Sequence, residues 1–78
     1  MSQESRERAF ELISKERDRQ DAKWGEQNHG DLFWLGILSE EVGEAARDII
    51  EDAKVKRELV EVAAVAVAWL EAIERRGG

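Results

Sequence analysis

Two acidic pairs of the same spacing stand out in this chain, Glu41-Val42-Gly43-Glu44 and Glu58-Leu59-Val60-Glu61. Residues three apart are neighbours on one face of an α-helix, so each pair can offer two carboxylates in one direction. On a helical projection, Glu58 falls in the middle of the face made by Val62, Val65, Trp69 and Ile73. Glu41 likewise lies between Trp34 and Ile37 on one side and Leu38 and Ala45 on the other. A carboxylate in the centre of an apolar face loses hydration without compensation unless something cationic accompanies it. Four carboxylates converging on one cleft form an oxygen-rich cage suited to a hard divalent ion, Mg²⁺ or Mn²⁺. Asp48 continues the Glu41–Glu44 stripe one turn on, and Glu40 lies beside it but points further out, so either can add a ligand. The plainer reading of the same residues is neutralisation by Arg47, Lys54 or Arg57, or solvation at helix edges.

These pairs must be positioned by helices. Pro is absent, and the β-branched residues cluster inside segments of helical periodicity. A first helix is expected over about Gln3–Lys23, rich in good helix formers, with Phe10, Ile13 and Arg17 on a narrow seam and Ser2 or Ser5 as its cap. The stretch Trp24-Gly25-Glu26-Gln27-Asn28-His29-Gly30-Asp31 breaks the period and reads as a loop, with Asp31 placed to cap the next helix. That second helix is expected over Leu32–Asp52, with Leu35, Leu38, Val42, Ala45 and Ile49 as its main apolar row and Trp34 and Ile37 flanking. Gly36 and Gly43 could mark a close approach of another backbone. A short turn near Asp52-Ala53-Lys54 leads to a third helix over Val55–Arg75, which would run antiparallel to the second and bring the acidic pairs together. From Val62 to Leu70 this helix is apolar on nearly every side, more than two partner helices can cover. The expected fold is therefore one all-α domain spanning residues 1–78, an antiparallel helical hairpin with an N-terminal helix, completed to a multi-helix bundle as a homodimer or homotetramer.

Composition narrows the function classes. The 78 residues suffice for one domain, and a chain this short has a thin core of its own. With no cysteine there is neither a disulfide nor a thiolate metal site. The N-terminus lacks an apolar leader segment, and no apolar run approaches the length that spans a bilayer, so a cytoplasmic protein without membrane association is expected. A net charge of −6 argues against binding a nucleic-acid polymer, although a single nucleotide remains possible where bound metal inverts the local field.

The run Glu40-Glu41-Val42-Gly43-Glu44, followed after a spacer by Glu58-Leu59-Val60-Glu61, resembles the signature of the MazG-like all-α nucleoside triphosphate pyrophosphatases. The upstream stretch from Glu16 to His29 and the downstream stretch from Leu59 to Leu70 are similar to short phage and bacterial members of that family, so the resemblance covers about Glu16 to Arg75. It departs at Glu61, where the family has Asp, and in the absence of the fourth helix of larger members. The resemblance implies Mg²⁺-dependent hydrolysis of a nucleoside triphosphate to monophosphate and pyrophosphate, in nucleotide-pool house-cleaning. Glu41, Glu44, Glu58 and Glu61 would be the metal-binding and catalytic residues, with no Ser, Cys or His nucleophile. The alternative is a non-catalytic helical oligomerisation or adaptor module on the same scaffold.

Substrate contacts could come from the loop. Trp24 can stack on a base or cover the bundle end, and the amides of Gln27 and Asn28 can read a base edge or serve the turn. His29 can meet phosphate or base, or be a turn residue. Lys23, Lys54 and Arg57 can meet phosphate or remain solvated; Trp34 and Trp69 are expected in the core.

Overall fold

The helices expected from periodicity form as α1 (Ser2–Trp24), α2 (Asp31–Glu51) and α3 (Val55–Arg75). The computed structural model describes residues 2–51 and 54–78, so of the expected Asp52-Ala53-Lys54 turn only Lys54 is within the described residues. No strand occurs among the described residues, and the fold is all-α. α1 ends where Gly25 adopts φ 73° and its N–H reaches the Asp21 carbonyl at 2.8 Å. That left-handed residue closes the last turn at little steric cost, as glycine can. Ser5 lies within α1 rather than at its start.

α3 is the central element, with α1 and α2 each packed against it, and the backbones of α1 and α2 do not meet among the described residues. α2 and α3 run antiparallel: the Asp31 carboxylate at the start of α2 accepts hydrogen bonds from Trp69 Nε1 (2.9 Å) and Arg76 (2.6 Å) at the end of α3. Asp31 is the first residue of α2, and its side chain thus ties the hairpin ends together. α1 is locked on by Arg17, whose guanidinium grips Glu71 with two hydrogen bonds, 2.8 and 2.9 Å long. The same guanidinium also donates to Gln20 and Asp21. Beyond α1, Arg75 donates to Asn28 Oδ1 at 2.9 Å and to the Gln27 carbonyl at 3.0 Å, fastening the loop to α3.

The core is thin. Its buried apolar residues are Trp34, Ala45, Ala64, Val65, Ala68 and Ala72, mostly alanines that let the helices approach closely. Ile37, Leu38 and Trp69 pack against them, half-buried. Trp34 is therefore a core residue as expected, whereas Trp69 stands at the rim with its indole N–H spent on Asp31.

Two expectations for α2 are corrected. Leu35 and Val42, read as part of its inward row, are each 49% exposed, and the face turned to α3 is instead Trp34, Ile37, Leu38, Glu41 and Ala45. α2 carries apolar residues around most of its circumference, so periodicity alone left the inward direction open. Gly36 and Gly43 meet no neighbouring backbone; a Cβ at either would have open space around it. Ile49, also assigned to the inward row, has a side chain outside the described residues. Exposed apolar groups continue along both helices of the hairpin, with Leu32 on α2 and Leu59 and Leu70 on α3.

Candidate functional site: an acidic cleft between α1 and α2 over α3

Because the backbones of α1 and α2 straddle α3 without meeting, a cleft of about 190 Å³ opens between the two helices. Glu16, Arg19 and Gln20 of α1 line one wall, Trp34, Ile37, Glu41 and Glu44 of α2 the other, and Glu61, Val65 and Ala68 of α3 the floor. Trp24 and Gln27 stand at the loop end. Three of the four glutamates singled out by spacing, Glu41, Glu44 and Glu61, thus border one space, joined by Glu16 from a helix whose charges read as solvated.

Glu58, the fourth, is half-buried one turn before Glu61 and has the Asp48 carboxyl of α2 beside it. Lost hydration and the Asp48 carboxyl push the Glu58 carboxyl above the ordinary carboxylate range. Glu41 is raised for a related reason, first by burial and then by the negative charges of Glu44, Glu61 and Glu16. Glu16 goes the other way, held low chiefly by a forked pair of hydrogen bonds from Arg19, 2.9 and 2.7 Å long. Glu61 has Arg57 at 3.6 Å, a loose pair whose cation is mostly solvated, so the neutralisation that the plainer reading requires is only partial there.

The donor set suits a hard cation, since every candidate ligand is a carboxylate oxygen, and burial with crowding raises the proton affinity of Glu41. As the side chains stand, no three acidic or histidine groups among the described residues are gathered closely enough to ligate one ion. Holding one would require the glutamates to close in from their three helices. Crowded carboxylates repel when no cation is shared between them, so an ion bound only by the folded chain stabilises it by mass action. Mg²⁺ or Mn²⁺ is accordingly expected to raise the melting temperature at neutral pH, and by less as acidification protonates the raised carboxyls. Coincident melting curves with and without the ions would count against the site.

The expected substrate residues divide. Trp24, 53% exposed, and Gln27 border the acidic cleft, with Lys23 lying 4.8 Å over the Trp24 ring. Asn28 is engaged by Arg75 and Glu26, away from the cleft. His29 packs on Phe33 and Trp34, with ring centroids 4.3 and 5.1 Å apart, and its Nε2, like the Trp34 Nε1, is buried without a hydrogen-bond partner among the described residues. Lys54 lies at the start of α3, bordering a separate groove. Glu16, Arg19 and Gln20 were not marked by spacing. Nothing in their spacing separates them from the solvated charges of α1; it is burial in the fold, with Gln20 8% exposed, that sets them apart.

No family model matches the chain, and neither the curated proteins nor the solved structures yield a match. Among the described residues, no helix is long and apolar enough to cross a membrane.

Proposed function

We propose that the chain is a Mg²⁺-dependent nucleoside triphosphate pyrophosphohydrolase of the MazG-like kind. The observation that carries this reading is the meeting of carboxylates from three helices, Glu16, Glu41, Glu44 and Glu61, around one cleft with Trp24 and Gln27 at its end. Glu41, Glu44, Glu58 and Glu61 would hold the ion, with Glu58 leaving Asp48 or bringing it along. When bound, such an ion neutralises phosphate oxygens and makes a water easier to deprotonate. The chain's own part is to orient the substrate and accept a proton. Trp24 offers a ring face to a base, and Gln27 offers amide hydrogen bonds. Water attacks the α-phosphorus, the bond to the oxygen bridging to the β-phosphorus breaks, and pyrophosphate leaves with that electron pair. The proton lost by the water passes to a cleft carboxylate or to solvent.

Pyrophosphate release from a panel of canonical and modified NTPs and dNTPs, with Mg²⁺ or Mn²⁺, tests the reading. Release from at least one is expected, and Glu61→Asp, which restores the residue of the resembled family, should retain or raise it. If the parent chain releases none and Glu61→Asp does not rescue it, the enzymatic reading fails. A specific observation favours a second reading, the absence of three gathered ligands among the described residues. Under it the chain is a non-catalytic oligomerisation or adaptor module on the same scaffold.

Both readings include self-association as a homodimer or homotetramer. Leu32, Leu35 and Val42 on α2, with Leu59 and Leu70 on α3, are exposed large apolar side chains beside a thin core, and covering them supports self-association. Equilibrium sedimentation at micromolar concentration should show no well-folded monomer. A monomer with full helix content would overturn this expectation.

A further inference from the structure

Beside the acidic cleft lies a second, larger hollow of about 610 Å³, between the middle of α1 and the first turn of α3. The two share Glu16, Arg19 and Glu61 as a common wall. In a chain of net charge −6, this groove is bordered by five cations, Lys15, Arg19, Lys54, Lys56 and Arg57, against those two carboxylates. Arg19 is occupied by Glu16, and Arg57 is loosely paired with Glu61. Lys15, Lys54 and Lys56 have no ion-pair partner among the described residues, and Lys15 lies within electrostatic reach of Glu11. Beneath them lie Leu12, Val55 and Val60. Long cationic side chains lay their methylenes on such a floor and keep their charges at the rim. A wall of low dielectric under a net excess of positive charge focuses that field on the mouth of the groove. The first turn of α3 adds to it, since Lys54 at the N-cap makes no side-chain capping bond and the leading backbone N–H groups have no partner within the helix.

We propose that this groove is a polyphosphate site, which takes the two outer phosphates of a nucleotide whose α-phosphate lies at the acidic cleft and holds them as pyrophosphate after cleavage. The first half rests on the hydrolytic reading above; the binding of pyrophosphate does not. The shared wall is what connects the two spaces. A triphosphate laid across Glu16, Arg19 and Glu61 has its outer charges over the lysines of this groove, and its inner phosphate among carboxylates that need a cation in common.

The test is calorimetric titration of the full chain, with chelator present, with inorganic pyrophosphate, orthophosphate and a nucleoside monophosphate. Pyrophosphate should bind more tightly than the other two, and less tightly as salt rises. Lys15→Gln combined with Lys56→Gln should weaken it about tenfold or more, the size of one lost charge-assisted contact. Arg6→Gln combined with Arg47→Gln, the same change in net charge on exposed positions away from the groove, should leave it unchanged; circular dichroism verifies folding of each variant. Absence of pyrophosphate binding, or equal binding by the lysine variant and the parent, overturns the proposal. Binding that depends on Lys15 and Lys56 in a chain that hydrolyses no triphosphate would retain the polyphosphate site and remove the hydrolytic reading. Hydrolysis with lysine-independent pyrophosphate affinity would do the reverse.

Discussion

Glu41→Gln should reduce pyrophosphate release by about 100-fold or more, while the metal-free protein becomes more resistant to heat at neutral pH. The first effect follows from the place of Glu41 among Glu16, Glu44 and Glu61, where an amide keeps the shape but cannot supply the charge that a divalent ion needs. The second follows from linkage. Burial and four neighbouring carboxylates raise the Glu41 pKa in the folded chain above its unfolded value. The folded state therefore binds more protons between those two values, and stability falls as pH rises through that window. Above it the penalty is fully present, and the neutral amide removes it. Enzyme assays and thermal melts over a pH series check both effects together. A variant that loses activity and also melts lower throughout would indicate a packing role for Glu41.

Arg17→Ala is expected to be the most destabilising single change outside the apolar core. It removes the two-pronged grip on Glu71 and leaves Gln20, itself buried, without the donor that satisfies its carbonyl. Hydrogen bonds to charged groups are worth about 1.5–3 kcal/mol, and the partial exposure of Glu71 moves the expectation toward the lower end. In a domain of this size even about 1 kcal/mol shifts the melting temperature by roughly 4–8 °C. The consequence extends to the cleft, because Gln20 also donates to Glu16 at 3.4 Å and Arg17 thereby steadies the α1 wall. Thermal denaturation measures the loss. Arg17→Lys, which keeps the charge without the planar fork, should recover only part of it. A melting temperature unchanged in Arg17→Ala would mean that α1 is held by its apolar seam alone.

The helices were legible because their signals are local. Good helix formers fill α1, and Gly25, Asn28 and Gly30 interrupt the period before α2. The convergence of Glu41, Glu44 and Glu61 was legible for a related reason, since a helical projection and one antiparallel turn suffice to bring them together. What spacing did not show depended on how the helices face one another. The inward side of α2 was settled by which residues fit against the alanines of α3, and Leu35 and Val42 on its other side are no less apolar than those buried. The α1 contribution was hidden for the opposite reason. Glu16, Arg19 and Gln20 sit in a segment charged on every side, where a residue that lines a cleft and one that meets bulk water look alike. The pairing of Glu58 with Asp48 also depends on the exact rotation of α2 about its axis.

The separation of α1 from α2 has a consequence for motion. Each helix is attached to α3 by its own fastenings, Arg17 with Glu71 on one side and Asp31 with Trp69 and Arg76 on the other. The opening between Glu16 and the Glu41–Glu44 wall can therefore vary as two helices rock independently on a shared axle. A ligand gripping both walls would be a direct tie between them, and its arrival would register as slower amide exchange along α1 and α2 together, far from any atom it touches.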